Sequence, residues 1–568
     1  MNALRPAALL LIAALAGCQS VQPGADLLLI NGNIVTEDPA MPVAQAMAVK
    51  DGRIVAVGST ASLMSWQGKV TRVVDLAGHQ VLPGLIDSHI HSIEGALALS
   101  ACSMDDTRPS LSELRTRVQR CAEEQPGDDW LQVINISSVG ADLDRDKLDS
   151  ILPDRPLFGI STDAHIAWAN SKALEVAGIT RHTISPSTGH IGHDAQGEPD
   201  GMLKDGATAL VLRHIPVMPL PQRVEALSQT LGMLHETGIT GFLEANSNAA
   251  SVDTFCALHQ QGRLTASVTL ALGSEGEPSD EEFERLAALR SRAEQCGVKA
   301  DTIKLYADGV MEFPTQTAGM LAPYLNDDGT PGPDSGPVYI PQSQFDAFAV
   351  KAAEQGFSLH VHAIGDGAIR ETLNAFEAVR ALPHGGDVRL SMAHLELIDQ
   401  ADLPRFAKLN VIASLQLLWA QPDEYSVDAV LPYLGKARHQ HLYPAESLLQ
   451  AGATIAGGSD WNVSSFNPFA AMATGVSRMN PEHPERAPLN IDEALTLDDM
   501  IRAYTINAAK LTGSDSDTGE LAVGMQADFI VLAAPLDINS SPHAIRTTKV
   551  LLTAVKGETV FGSWAQIR

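Results

Sequence analysis

The segment Leu85-Ile86-Asp87-Ser88-His89-Ile90-His91 is a short apolar run that ends in two histidines. Successive side chains of a β-strand point to opposite faces, so residues two apart project in the same direction. His89 and His91 are therefore expected to converge at the end of a strand. An isolated pair of this kind is a weak metal signal, and its meaning depends on the polar residues that end the later strands.

After this segment the chain alternates short apolar runs with helical stretches, which is typical of a parallel sheet with crossover helices. Counting the first run, eight strands are predicted, and eight βα units indicate an α/β fold of the (β/α)8 TIM-barrel type. Active sites of such barrels lie at the C-terminal ends of the strands. The predicted strands are residues 86–91, 239–244, 266–272, 302–307, 358–363, 389–394, 411–416 and 454–459.

Two regions fall outside this pattern. The gap between the first and second strands is far longer than the others, and we predict that residues 92–229 form an α/β insertion over the barrel mouth. Residues 26–82 and 515–568 contain β-hairpin patterns with Asn-Gly, Asp-Gly and Lys-Gly turns. These two ends are expected to build one composite β-sandwich domain, which leaves residues 83–514 for the barrel.

Polar residues end three more of the predicted strands. His362 lies near the end of the fifth strand, His394 ends the sixth, and Asp460 follows the eighth. Because the strand ends meet at one rim of a barrel, these side chains are expected to join His89 and His91 there. Nitrogen and oxygen donors of this kind suit Zn²⁺, with Mn²⁺, Fe²⁺ and Ni²⁺ as open alternatives, so the rim is predicted to be a metal site.

Four motifs at these strand ends carry a family resemblance. They are residues 82–91 (LPGLIDSHIH), 362–366 (HAIGD), 393–396 (AHLE) and 457–460 (GGSD). Together they resemble the amidohydrolase superfamily, and in particular its amidohydrolase-3 branch, which includes N-substituted formamide deformylase-like enzymes. The resemblance continues to residues 524–528 (GMQAD), which are similar to the closing G-x-x-A-D motif of that family.

The resemblance implies a role for each of the rim residues. His89 and His91 would bind the more buried metal ion, and His362 and His394 would bind a second. Asp460 would contact the metal and act as the catalytic residue that transfers the proton. The implied cofactor is Zn²⁺ or another divalent transition metal, as one or two ions.

Lys304 lies in the fourth predicted strand, where many members of the family carry a lysine whose carbamate bridges two metal ions. The alternative is a lysine paired with Asp308 or Glu312, and in that case the centre holds one ion. His360 is expected to pack behind the ligands, because it lies two residues before His362 on the same face, one layer deeper.

The insertion contains a further candidate. Residues 163–174 (DAHIAWANSKAL) resemble the D-G-H and N-S-x-A-L segments of the branch, with Ala164 in place of a glycine. His165 is predicted to contact the substrate, and the alternative is a packing role in the insertion. In the loop after the fourth strand, residues 312–317 (EFPTQT) depart from the S-R-T-like stretch of the relatives, so the polar contacts to the substrate are expected to differ.

The resemblance implies a metal-dependent hydrolase that cleaves a non-peptide carbon–nitrogen (amide) bond of a small molecule with metal-activated hydroxide. One alternative is hydrolysis of an ester, lactone or phosphoester by the same centre. Another is a binding lipoprotein without activity, which would predict degraded ligand positions, whereas all six are present. They are His89, His91, Lys304, His362, His394 and Asp460.

The ends and the charge of the chain bear on partners and location. A net charge of -29, from 39 Lys+Arg and 68 Asp+Glu, disfavours binding of nucleic acid. Residues 1–18 read as an export signal whose apolar stretch is too short to span a bilayer. Its end, Leu15-Ala16-Gly17-Cys18, resembles a lipobox, and Gln19 points to the outer membrane, facing the periplasm. A cleaved signal peptide without a lipid is the alternative, and contact with the membrane is expected only through the lipid anchor.

Four cysteines remain after Cys18, at positions 102, 121, 256 and 296, and none has the CxxC spacing of a metal site. In an oxidising compartment they allow three disulfide connectivities. Proximity in the sequence favours pairing of Cys102 with Cys121 and of Cys256 with Cys296.

Overall fold

The computed structural model describes residues 24–99 and 101–567. The predicted lipoprotein signal at residues 1–18, with Cys18, lies outside the described residues. Across these two ranges no helix is both long enough and apolar enough to cross a bilayer.

The N-terminal part of the chain consists of short strands and one short helix. These are β1 (Leu27–Ile30), β2 (Asn33–Val35), β3 (Val43–Ala44), β4 (Ala46–Lys50), β5 (Arg53–Gly58), helix α1 (Thr60–Leu63), β6 (Arg72–Asp75) and β7 (Gln80–Pro83). Strands β5, β4, β1 and β6 form one sheet in that order. Strands β7, β2 and β3 belong to a second sheet, which is completed by the other end of the chain.

The first barrel strand, β8 (Leu85–Ile90), and helix α2 (Ser92–Ala98) are followed by the insertion. The insertion comprises strands β9 (Cys102–Thr107), β10 (Leu131–Ile136), β11 (Leu157–Ser161), β12 (Ile166–Ala169), β13 (Gly189–His193) and β14 (Pro199–Asp205), with helices α3 (Leu111–Glu124), α4 (Arg145–Asp149), α5 (Ser171–Ala177) and α6 (Ala209–Leu212). Its strands form one sheet in the order β13-β14-β12-β11-β10-β9. A disulfide between Cys102 and Cys121 links β9 to α3, with the two Cα atoms 5.8 Å apart.

The remaining barrel strands alternate with helices. The strands are β15 (Ile239–Ser247), β16 (Ser267–Gly273), β17 (Lys299–Tyr306), β18 (Ser358–Ala363), β19 (Leu390–His394), β20 (Val411–Leu415) and β21 (Thr454–Gly457). Together with β8 they pair in parallel in the order β21-β20-β19-β18-β17-β16-β15-β8. Strands β8 and β21 lie against each other, so the sheet curves into a nearly closed barrel and the predicted TIM-barrel fold is confirmed.

Helices cover the outside of the barrel. They are α7 (Leu220–Glu236), α8 (Ala249–Gln260), α9 (Asp280–Gln295), α10 (Gln342–Glu354), α11 (Asp366–Arg380), α12 (Leu403–Lys408), α13 (Leu431–Leu434), α14 (Lys436–His439), α15 (Ala445–Gln450), α16 (Pro468–Ser477), α17 (Leu497–Ala503) and α18 (Ile506–Thr512). Local signals start several of them: Ser279 caps α9, whose first turn carries three acidic residues that favour a helix N-terminus. Helix α7 packs against α2 and α8, so it belongs to the barrel although it overlaps the end of the predicted insertion.

Aromatic side chains fill the layer between strands and helices. Phe242 on β15 packs on Phe255 of α8, and Phe283 of α9 packs on Phe348 of α10, with ring centroids 6.3 Å and 5.0 Å apart. A second disulfide, between Cys256 and Cys296, joins α8 to the end of α9.

The C-terminal part adds β22 (Phe529–Leu532), helix α19 (Pro542–Arg546), β23 (Val550–Val555) and β24 (Glu558–Gly562). These strands complete the second sheet in the order β24-β23-β22-β7-β2-β3. Leu29, Met47, Val81, Phe529 and Leu552 share one buried core, so strands from both ends of the chain build a unit beside the barrel.

Candidate metal centre

The C-terminal ends of the barrel strands bring the predicted ligands together. His89 lies within β8 and His91 directly after it, His394 ends β19, and Asp460 follows β21. The side chains of His89, His394 and Asp460 are all buried. His394 and Asp460 both adopt left-handed backbone conformations, with φ of 77° and 53°. Such conformations are uncommon for residues other than glycine, and they are enriched at functional sites.

The donor atoms are close enough to share one ion. Asp460 Oδ1 lies 3.2 Å from Nε2 of both His89 and His91. The ring centroids of His89 and His394 are 4.9 Å apart. One donor atom each from His89, His394 and Asp460 can be chosen so that all three lie within 4.8 Å of one another. Donor atoms this close together could hold a single metal ion.

Two of these donor atoms lack a hydrogen-bond partner within the described ranges. His394 Nδ1 and Asp460 Oδ1 are buried and take part in no hydrogen bond among the described residues. Leaving a buried polar atom unpaired costs about 1–3 kcal/mol, and more for a charged group, so such atoms are uncommon without a ligand. The neutral imidazoles and the carboxylate therefore fit a divalent transition metal.

The protonation states agree with this fit. Burial, together with the nearby Lys304 ammonium, lowers the pKa of His89 to about 3, so its imidazole is neutral at pH 7. Burial opposes ionisation of Asp460, but the adjacent imidazoles of His89 and His91 outweigh it and hold its pKa well below the usual range. Metal ligands must be neutral histidines and ionised carboxylates, which is the state of His89 and Asp460.

His362 lies beside this set, with its ring centroid 4.4 Å from that of His394. Its Nε2 is 3.0 Å from the carbonyl oxygen of Gly309. A carbonyl oxygen only accepts hydrogen bonds, so Nε2 carries the proton and Nδ1 is the nitrogen left for a metal. His362 is not among the three residues whose donor atoms lie within 4.8 Å of one another.

Lys304 lies in the barrel interior below the ligands. Its Nζ is 3.2 Å from His89 Nε2 and 4.7 Å from the ring centroid of Tyr306. Burial lowers the pKa of Lys304 to about 7. In the described part of the chain, Nζ forms no ion pair with Asp308 or Glu312, the partners that the alternative interpretation of Lys304 requires.

Asp308 instead supports the loop after β18. Its carboxylate accepts backbone N–H hydrogen bonds from Gly319, Ile364 and Gly365, at 2.8–3.0 Å. The latter two residues directly follow the strand that carries His362. From the sequence, Asp308 was predicted only as an alternative partner of Lys304. The sequence feature that could have indicated this role is a charged residue directly after the apolar strand predicted at residues 302–307.

The insertion contributes His165. Its ring centroid is 5.5 Å from that of His362, and its Nδ1 lies 2.6 Å from Oδ1 of Asp205. Burial opposes protonation of His165, but the hydrogen bond to Asp205 outweighs it and raises the pKa to about 9. Asp205, at the end of β14, was missed in the sequence because it is 40 residues from its partner.

His360 lies behind His89, one layer deeper in the barrel. Its Nε2 is 2.7 Å from His89 Nδ1, and its Nδ1 is 2.8 Å from the hydroxyl oxygen of Ser391. Ser391 was also missed in the sequence. A lone serine in an apolar strand gives no local signal of function.

Aromatic rings and the insertion shape the mouth of the site. Trp419 stacks on His394, with centroids 5.5 Å apart and planes within 5°. A cavity of about 360 Å³ is lined by Asp105 and Asp106 from the insertion and by the loop after β21, including Trp461 and Phe466. Its size suits part of a small molecule.

The profile of the Amidohydrolase family matches residues 72–561. The chain therefore belongs to this family, and the resemblance seen in the strand-end motifs is confirmed. It is 28% identical to an N-substituted formamide deformylase of Arthrobacter pascens, over 94% of this chain and 97% of that protein. It is also 28% identical to the putative amidohydrolase YtcJ of Bacillus subtilis, over 91% of this chain and 96% of that protein.

A solved structure shares the fold. An uncharacterized metal-dependent hydrolase from Pyrococcus horikoshii superposes with a TM-score of 0.70 at 22% identity, covering 91% of this chain and 99% of that one. Membership of the family confirms the predicted class, a metal-dependent hydrolase acting on carbon–nitrogen bonds other than peptide bonds. The alternative of ester, lactone or phosphoester hydrolysis is not favoured.

Proposed function

We propose that the protein hydrolyses the amide bond of a small N-formyl or N-acyl compound, with Zn²⁺ as its metal. The observation that carries this proposal is the convergence of His89, His394 and Asp460 at the barrel mouth with buried, unpaired donor atoms. The similarity to an N-substituted formamide deformylase supports an N-formyl or N-acyl substrate.

The residues of the site are proposed to have two roles, which are binding of the metal and transfer of the proton. His89, His91, His394 and Asp460 would hold one ion, and His362 would offer Nδ1 to a second. A bound divalent ion supplies a Lewis acid that lowers the pKa of water and polarises a carbonyl group. Asp460 accepts the proton of the attacking water and delivers it to the leaving nitrogen, a transfer worth about 10²–10⁴ in rate.

His165 is proposed to bind the substrate. Its Nδ1 is occupied by Asp205, which leaves Nε2 for a ligand. With a pKa raised to about 9, the ring is protonated at pH 7 and donates from Nε2. A donor beside His362 is suited to the carbonyl oxygen, where negative charge develops during attack.

Lys304 is proposed to be carboxylated. The neutral amine attacks CO₂ and loses a proton, which gives a carbamate in place of a cation. Support comes from its burial, the lack of an ion-pair partner within the described ranges, and the pKa lowered to about 7, which leaves a large neutral fraction. A carbamate next to His89 Nε2 would add carboxylate oxygens to the residues that would hold the metal.

The substrate is proposed to be small and enclosed, with apolar substituents against Trp419 and the other rim aromatics. The insertion supports an enclosed molecule over a polymer, because it places His165 beside His362 at the mouth of the barrel. We further propose that the protein is a periplasm-facing outer-membrane lipoprotein with no nucleic-acid partner, attached only through Cys18. The two disulfides support an oxidising compartment.

Metal analysis combined with a substrate panel tests the proposed function. We expect purified protein to hold one to two equivalents of zinc and to turn over N-formyl or N-acyl amides, with loss of activity on chelation and recovery on adding Zn²⁺. Folded protein that takes up no zinc, or zinc-loaded protein that ignores every amide but cleaves lactones, would contradict the proposal.

A further inference from the structure

A chain of hydrogen bonds beneath the candidate metal centre links Ser391 on β19, His360 on β18 and His89 on β8. In the register of the sheet, Lys304 on β17 is opposite His360 on β18, and His360 is opposite Ser391 on β19. These side chains therefore lie in one layer of the barrel interior. His89 reaches this layer from β8, with Nδ1 2.7 Å from His360 Nε2.

The hydrogen bond from Ser391 to the backbone selects one direction for this chain. The Ser391 hydroxyl donates to the carbonyl oxygen of Leu359 at 3.2 Å. A hydroxyl has a single hydrogen, so the same oxygen accepts from His360 Nδ1 at 2.8 Å. With its proton on Nδ1, a neutral His360 accepts at Nε2, and His89 donates from its Nδ1.

This direction also sets the state of the other nitrogen of His89. With the proton on Nδ1, His89 Nε2 carries a lone pair. That atom lies 3.2 Å from both Lys304 Nζ and Asp460 Oδ1, on the side where the other donor atoms converge. The reverse direction would break the bond from Ser391 to Leu359 and place a proton on Nε2, where it would point at Asp460 and keep a metal ion away.

We propose that Ser391 and His360 are positioning residues that fix the tautomer and ring orientation of His89 and so prepare Nε2 for the metal. This inference rests on the proposed role of His89 as a ligand. The layer is almost wholly shielded from water, since Ser391 is 4% exposed and His360 and His89 are 0% exposed. No solvent molecule can replace a missing partner without entering the barrel core.

The test compares metal affinity in variants of this chain. Ser391→Ala removes the anchoring hydroxyl, and His360→Leu removes the acceptor for His89. Loss of a group that orients a ligand typically weakens metal binding about 10- to 100-fold, and we expect the zinc Kd of both variants to rise by that factor. In His360→Gln the side-chain oxygen can accept from His89 Nδ1, so most of the affinity should return.

Ser414→Ala is the matched control. Ser414 is a buried hydroxyl on the next strand, β20, and bonds to the Ser88 hydroxyl at 2.8 Å. The readouts are the zinc Kd by competition with a chromophoric chelator, the absorption spectrum of the Co²⁺-loaded protein and the Tm of the metal-free protein. We expect a weaker Kd and an altered Co²⁺ spectrum in Ser391→Ala, with a Tm close to that of Ser414→Ala.

A purely structural role makes a different prediction. Equal zinc Kd and equal Co²⁺ spectra in Ser391→Ala and Ser414→Ala would overturn the inference, whatever their Tm. So would a His360→Gln variant that binds zinc no better than His360→Leu. Failure of the proposed function is distinguishable, because the wild-type protein would then bind no zinc or hydrolyse no amide.

Discussion

His165 of the insertion lies with its ring 5.5 Å from the ring of His362 on the fifth barrel strand. The insertion therefore contributes a side chain to the site that the strand ends form. Asp205 fixes that side chain through a 2.6 Å hydrogen bond. The position of His165 beside His362 therefore depends on the folding of the insertion.

The pH dependence of activity tests the pair of His165 and Asp205. The pKa of His165 is raised to about 9, so the protonated ring is present below that pH and is lost as pH rises through it. We expect kcat/KM to fall on the alkaline side near pH 9, and we expect Asp205→Asn to move this fall to lower pH because the charge that raises the pKa is gone. Kinetics from pH 6 to 10 measure it, and an unchanged alkaline limb would contradict the assignment.

Loss of a ligand histidine should release metal. In His89→Ala the set of donors around Asp460 loses a nitrogen at 3.2 Å, and we expect the bound zinc to fall to a small fraction of the wild-type content. His235→Ala is the control, since His235 is equally buried but bonds to Ile239 and Thr265 away from the site. Elemental analysis that finds the same zinc content in both variants would show that His89 is not a ligand.

Carboxylation of Lys304 can be observed directly. Protein loaded with zinc in ¹³C-bicarbonate should show a carbamate carbon signal in the NMR spectrum, because the buried amine with its lowered pKa is neutral enough to capture CO₂. Lys304→Met has no amine and should lack the signal. Metal-loaded wild-type protein without a carbamate signal would show that Lys304 is not carboxylated.

Membrane attachment is expected to depend on Cys18. Cys18→Ser should yield protein without an acyl chain and release it from the membrane fraction, because the thiol that carries the lipid is gone. Mass spectrometry of the mature N-terminus measures the modification. A wild-type terminus that carries no lipid would refute the lipoprotein proposal.

The fold was predictable because hydrophobic runs repeat along the chain. The second and fifth strands begin at Ile239 and Ser358, where the apolar pattern predicts them. The end of the insertion was less predictable, because the apolar face of α7 does not reveal which domain it packs against. The helix begins at Leu220 and as a whole packs as part of the barrel.

The site was predictable where a residue type at a strand end has few other uses. This applies to the histidines and to Asp460. The supporting residues were not predictable, because their partners are distant in sequence: Ser391 is 31 residues from His360, and Asp205 is 40 from His165. Only the pairing register of the strands and the folded insertion bring them together.

Proton transfer by Asp460 during metal-dependent amide hydrolysis is measured through the kcat of Asp460→Asn. The amide oxygen of asparagine could still bind the metal but cannot accept the proton. With zinc content equal to that of the wild-type protein, we expect kcat for an N-formyl or N-acyl amide to fall by at least about 10²-fold. A zinc-loaded Asp460→Asn variant with wild-type kcat would show that Asp460 does not transfer the proton.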